Sequence, residues 1–418
     1  MQPEEAMVAT DWLFLLIAFW FGSYLYLFAF EKYELKPLYS YFVLIGLAGV
    51  HVLWSVGREA SPSRRGSGIA GLYCWLAVYL GYGILEYLRS PQDEVTTQAL
   101  IDLGEAVVLA TAFTAFLRKP ELLRNFSFLF CLIALVGSCV NCVDFVTPML
   151  SLIPGRAAGF YGNPNIAGIA IALAMMGGIE AVARRLRLPY LIFCGLGVLL
   201  TVSRESWLAW AVGALLLALT DIRSRGRRLW SVALILGTAF LATLFFQGSL
   251  KDDLMQTPVA QYLTPDTATR IGIGGALFED ESAMERKALL NDSLHEAELA
   301  PWTGRGLGFT QEWNYRVGPH DMYLLFFVEG GVPGLALFVA LMALVWVCAA
   351  GTGRIVAAQF FVASLFSHNL LDQPAFVMVI AYVLAHGDAS RWSAARSSDS
   401  HVPFRAPRIA MSRGASWP

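Results

Sequence analysis

The sequence predicts an all-α polytopic membrane protein of about twelve transmembrane helices, with one large loop on the face opposite both termini. Three observations carry that expectation. Of the 418 residues 56% are apolar and only 15% charged, against a charged share of about 25% in ordinary soluble domains. The apolar residues form long uncharged runs rather than stripes of period 2 or 3.6 backed by polar faces. Finally, the basic residues gather in alternate connections, as the cytoplasmic loops of a membrane protein require.

The runs come in order along the chain. Stretches near the roughly 20 residues that cross a bilayer core fall at 11–30, 39–57, 69–88, 99–117, 126–147, 166–182, 190–202, 206–221, 229–247, 322–350, 355–371 and 374–386. The seventh, eighth and twelfth are short. The tenth contains Gly330, Gly331, Pro333 and Gly334, which predicts a broken helix. No small-residue cleavage site follows the first run, and Glu31-Lys32-Tyr33-Glu34 comes at once, so it is expected as a retained anchor.

Charge fixes the orientation. Connections after even-numbered spans are rich in Arg, whereas the short connections of the other face hold only Lys32, Lys36, Arg89, Arg156 and Arg204. Both termini are therefore expected in the cytoplasm. The expected organisation is spans one to nine over 1–247, a large outer loop over 248–321, spans ten to twelve over 322–386, and a disordered Ser-, Arg- and Pro-rich cytoplasmic tail over 387–418. A loop of that length in a compact membrane protein is usually functional. Within it, Ser282–Leu299 reads as a helix along the membrane surface, Arg286, Leu290 and Leu294 recurring every four residues.

Some functions are excluded early. A net charge of −2 argues against a nucleic-acid partner. All six cysteines lie inside apolar runs, so a disulfide framework is not expected, and the single CxxC of Cys139 and Cys142 lacks a second pair. With no HExxH, DxD or Walker sequence, neither a metal nor a nucleotide cofactor is expected.

The candidate chemistry rests on arginines that break the orientation rule. Arg156 in Pro154-Gly155-Arg156, Arg204 in Ser203-Arg204-Glu205 and Arg286 on the surface helix all fall near the outer membrane plane. A guanidinium is planar, permanently charged and matched to phosphate oxygens, so three converging from separate loops would clamp a phosphate at headgroup level. Any one alone also reads as a snorkelling or Glu-paired arginine. His320 stands where the large loop meets a span, and its ordinary pKa of about 6.5 suits proton transfer; it also reads as a helix-start residue bonded to backbone. Asp321 would orient that ring or cap the next helix. His368 falls at the outer end of another span. Asp102, Glu105, Asp144 and Glu329 are acids costly in lipid and are expected to face a cavity or a partner, which a solute or ion transporter would also require.

Taken together, the turn Gly162-Asn163-Pro164-Asn165, Ser203-Arg204, Arg286 before Leu289-Leu290, the Pro301 to Gly308 stretch and His320 before Tyr323 resemble the O-antigen ligase and polymerase superfamily over roughly residues 150–375. Two departures stand out: Asp321 where the family commonly has Asn, and no Trp near Leu290. The resemblance implies a membrane glycosyltransferase fold of the GT-C-like, all-helical type, and a metal- and ATP-independent transfer of glycan from undecaprenyl diphosphate in the periplasm of a bacterial inner membrane. It further implies that Arg156, Arg204 and Arg286 hold the diphosphate and that His320 handles the acceptor proton, with Asp321, Asn165, Arg305 and His368 in support. The acceptor would be lipid A-core in a ligase and another carrier-linked repeat in a polymerase; the ligase is favoured by the single late loop that holds both Arg286 and His320.

Overall fold

The computed structural model describes residues 9–56, 66–222, 281–315 and 317–399. The expected ninth span, the loop from 248 to 280, Arg316 and the end of the tail from 400 to 418 lie outside the described residues. Among the described residues there is no strand. The helices are α1 (Ala9–Gly22), α2 (Leu25–Tyr33), α3 (Pro37–Val56), α4 (Ser67–Arg89), α5 (Glu94–Leu117), α6 (Pro120–Val146), α7 (Pro164–Gly177), α8 (Arg187–Leu199), α9 (Arg204–Ile222), α10 (Glu281–Leu299), α11 (Phe309–Glu312), α12 (Met322–Cys348), α13 (Thr352–Ser364) and α14 (Pro374–Asp399). Four of them, α4, α5, α6 and α12, are long and apolar enough to cross a membrane, and α1 with α2 qualifies as one bent span. The chain is an all-α membrane protein.

The first apolar run is not straight. It bends by 71° between α1 and α2, at Tyr24, whose φ of 59° is left-handed. The sixth run folds as α7, a helix of 14 residues, roughly 20 Å long at about 1.5 Å per residue and too short for a bilayer core of about 30 Å. Residues Ala167 to Gly177 of α7 are buried without a break, enclosed by α6, α8, α9 and α13. A run apolar on every side is thus a central core helix, which hydropathy alone does not distinguish from a lipid-facing one. Gln359 on α13 is fully buried and donates through Nε2 to Ala172 O (3.3 Å) and Ala209 O (3.0 Å), a polar tie among α13, α7 and α9 of the kind that joins helices where lipid gives no hydrophobic drive.

The expected break in the tenth run is present. Inside α12, Gly331 adopts φ 60°, ψ −157°, and backbone groups released there are met by the segment before α11 and by Tyr82 of α4. Arg305 N donates to Val328 O (2.8 Å), Gly306 N to Glu329 O (3.0 Å) and Val332 N to Pro301 O (2.8 Å), while Tyr82 Oη reaches Gly330 O at 2.6 Å. This contact needs glycine. A Cβ on Gly304, itself at φ 67°, would stand 2.1 Å from Glu329 O. The Pro301 to Gly308 stretch is therefore the partner that seals a broken helix, as buried backbone groups demand.

One helix finds a protein partner and one expectation changes. On α10 the column Arg286, Leu290, Leu294 faces away from the bundle, Leu290 and Leu294 being 46% and 45% exposed. Leu289, Ser293 and Ala297 are buried instead, and Ala297 sits against Leu324 and Val328 of α12. Apolar residues occur on both sides of this helix, and the shape of the partner decides between them. At the other end, residues 387–399, expected to open a disordered tail, continue α14. Asp388 accepts from Gly68 N and Ile69 N, both at 3.0 Å, and so caps α4 from another helix, while Arg391 joins Asp388 at 2.6 Å and Cys348 O at 2.8 Å.

Candidate functional site

Among the described residues, four connections and the start of one helix meet at one end of the bundle: α6 to α7, α8 to α9, the first turns of α10, the approach to α12, and α13 to α14. Each brings a residue singled out above. The first is built by Asp144 near the end of α6, buried to 2% exposure. Its Oδ1 accepts from the amides of Met149 (3.2 Å), Leu150 (2.9 Å) and Ser151 (3.4 Å), and its Oδ2 from those of Ala158 and Gly159 (both 3.0 Å). One carboxylate thus folds the whole connection and presents Arg156 at its middle. The sequence offered Asp144 as a cavity acid; its cavity is this loop.

Arg156 is itself buried. Its Nε donates to Thr201 O (2.9 Å) and its Nη2 to Asn165 Oδ1 (2.6 Å). Asn165 belongs to the first turn of α7, where Asn163 Oδ1 accepts from Asn165 N (2.9 Å) as the helix cap. Ser206 Oγ of α9 reaches Asn165 O (3.2 Å) and Ser203 Oγ (2.8 Å). The α8–α9 turn that carries Thr201 is tight: Val202 has φ 48°, uncommon and costly for a β-branched residue. Gly168 allows this approach, because a Cβ there would lie 2.4 Å from Ser206. Arg204 is the first residue of α9 and is half-buried.

The second half of the site centres on Arg286. Its Nη1 is 2.8 Å from Oε2 of Glu205, the residue after Arg204, and Glu205 is only 4% exposed. In sequence Glu205 is the neighbour of Arg204; the structure joins it to an arginine 81 positions away. His320 lies close by, and burial followed by the charge of Arg286 holds its imidazole down to a pKa of about 4. His368 faces it, the two rings 5.4 Å apart and nearly edge to face at 62°. Burial, then His320, also lowers His368 to about 4. Gly318 lets the two loops meet, since a Cβ there would be 2.8 Å from the His368 ring. Both imidazoles are neutral near pH 7, so a proton acceptor stands beside guanidinium groups.

Two supporting residues take structural duties. Asp321 Oδ1 accepts from Tyr323 N (2.7 Å) and Leu324 N (3.1 Å) and is the cap of α12 rather than a holder of the His320 ring; burial raises its carboxyl above the ordinary range against the pull of those amides. Arg305 pairs with Glu296 of α10 at 3.0 Å and lies 5.0 Å from the centre of the Phe309 ring, which fastens the glycine segment to α10. Glu329, expected as a cavity acid, accepts from Thr310 Oγ1 (2.6 Å) and Thr310 N (3.2 Å) at α11. Among the described residues no group of His, Cys, Asp and Glu has the arrangement to hold a metal ion. A small apolar cavity of about 20 Å³ lies apart from the arginines, between α4, α5, α12 and α14, lined by Trp75, Tyr79, Leu341 and Leu371 among others.

Fold and site together define a polytopic helical membrane protein that gathers guanidinium and imidazole groups at one end of its bundle. An O-antigen ligase family model matches residues 189–339. This match supports membership of the O-antigen ligase superfamily, and it spans Arg204, Arg286, Arg305, His320 and Asp321, leaving Arg156, Asn165 and His368 outside it. No curated protein and no solved structure gives a match.

Proposed function

We propose that the chain is a membrane glycosyltransferase that moves O-antigen polysaccharide from undecaprenyl diphosphate to lipid A-core, acting at the periplasmic face of a bacterial inner membrane with both termini in the cytoplasm and about twelve spans in the full chain. The observation that carries the reading is the meeting of Arg286 and His320. Arg286 stands on α10 and His320 in the connection before α12, and they lie at the same bundle end as Arg156, Asn165 and Arg204.

The chemistry follows from charge. As the sugar C1–O bond breaks, its electron pair goes to the departing diphosphate. Arg156, Arg204 and Arg286 offset that growing charge, the electrostatic work a divalent cation does elsewhere. The acceptor hydroxyl oxygen forms the new bond to C1, and its proton passes to neutral His320, a transfer typically worth about 10² to 10⁴ in rate. A diphosphate beside Arg286 offsets the charge that depresses His320 and so makes the imidazole a better base when donor is present. His368 is the next acceptor for that proton. The driving force is the carrier's phosphate ester, and no nucleotide enters.

Ligase and polymerase share this machinery and differ in acceptor. Fixing Asp144 and Glu329 as backbone-binding residues removes two of the acids that favoured a transporter. The test is a gel of cell-surface lipopolysaccharide from a deletion strain complemented by variants. Loss of the polymer ladder with lipid-linked polymer accumulating supports the ligase; a core bearing one repeat assigns the polymerase; an unchanged pattern overturns both. His320→Ala and Arg286→Ala are each expected to fail to restore the ladder while remaining in the membrane.

A further inference from the structure

We infer that Glu205 is a positioning residue that occupies Arg286 as a resident anion and surrenders it to the incoming diphosphate. The inference rests on the reading of Arg286 as a diphosphate ligand. A carboxylate and a phosphate oxygen are alternative partners for the same guanidinium fork. Glu205 is nearly inaccessible, sits beside Arg204 in the first turn of α9, and is met by Arg286 from α10 at 2.8 Å. The pair therefore ties α10 to the α8–α9 turn that also receives Arg156 through Thr201 O (2.9 Å).

Three consequences follow from one contact. Glu205 offsets a partly buried charge that would otherwise be costly in the empty site. It aims Arg286 at the position the substrate must reach. It also competes with the bound diphosphate, so the product carrier is released when the carboxylate takes Arg286 back. No bond is made or broken; only the partner of one guanidinium changes.

Glu205→Gln keeps an oxygen that can accept from Arg286 and removes the competing charge. In full-length protein reconstituted in vesicles, its affinity for a polyprenyl diphosphate that carries no glycan is expected to rise about tenfold. In transfer assays KM for the donor and kcat are both expected to fall, because product leaves slowly. A purely structural role for Glu205 would weaken binding instead. Affinity that is unchanged or weaker in a folded Glu205→Gln protein overturns the inference. Should that variant fail to fold, Glu205→Asp, which keeps the charge but shortens its reach, is expected to tighten binding by a smaller factor, and no tightening there overturns it equally. If the wild-type protein does not bind the probe, or Arg286→Ala binds it as well as wild type, the diphosphate reading itself fails, and that outcome is distinct from a normal wild-type affinity left unmoved by Glu205→Gln.

Discussion

Asp144→Asn isolates how the site is held in shape. An asparagine keeps one acceptor oxygen and turns an amide NH₂ toward the other set of donors. With the oxygen kept on the side of Met149, Leu150 and Ser151, the amides of Ala158 and Gly159, now 3.0 Å from Oδ2, face a donor and lose their acceptor. Each such buried loss costs about 1–3 kcal/mol, so the connection opens more easily by ~2–6 kcal/mol. At about 1.4 kcal/mol per factor of ten, amide exchange at Ala158 and Gly159 is expected to quicken by about 30-fold to 10⁴-fold. Hydrogen-exchange mass spectrometry on peptides covering 149–159 reads this directly and needs no substrate. Arg156 rides on that connection, so glycan transfer should fall as well, and the Asp144→Asn/Arg156→Ala pair should be no worse than Arg156→Ala alone, the mark of two residues acting through one element. Exchange within threefold of wild type would refute the claim that this carboxylate organises the loop.

Two more outcomes follow from particular residues. His320 and His368 are both held down to about 4, against about 6.5 in an unfolded chain, so the unfolded state takes up protons first as pH falls. Their contribution to stability is present above about pH 6.5 and is lost as pH falls toward 4: the melting temperature should drop across that window, less so in His320→Asn/His368→Asn, and kcat/KM for transfer, which reports the donor-free site, should show no acid limb attributable to His320 until pH approaches about 4. Gly304→Ala should destabilise by at least ~2 kcal/mol, from the left-handed backbone together with a Cβ 2.1 Å from Glu329 O; Gly81→Ala, which meets nothing within 4 Å, should be neutral or slightly stabilising, and equal melting temperatures for the two variants would show that the glycine segment does not seal the break in α12.

The sequence by itself determined the solvent, the broken tenth run and the identity of the arginines and histidines that meet. These are local properties. An apolar run, a Gly-Pro interruption or an arginine in an Arg-poor connection is expensive or cheap in lipid whatever surrounds it. His320 and Arg286 were legible for that reason, because each stands where a charge or imidazole needs a purpose.

Partnership was decided only by the tertiary structure. Nothing local distinguishes Glu205 as the mate of Arg286 rather than Arg204, or Asp144 as the acceptor of five backbone amides, because a buried polar group is satisfied by whichever donors folding brings within about 3 Å. The same holds for α7, a core helix whose composition reads like a span, and for α10, whose buried face was chosen by Leu324 and Val328 of α12 and not by its own spacing. Gly304 belongs here too: its demand comes from the Glu329 carbonyl of a helix break more than twenty positions downstream, visible only once the two segments are side by side.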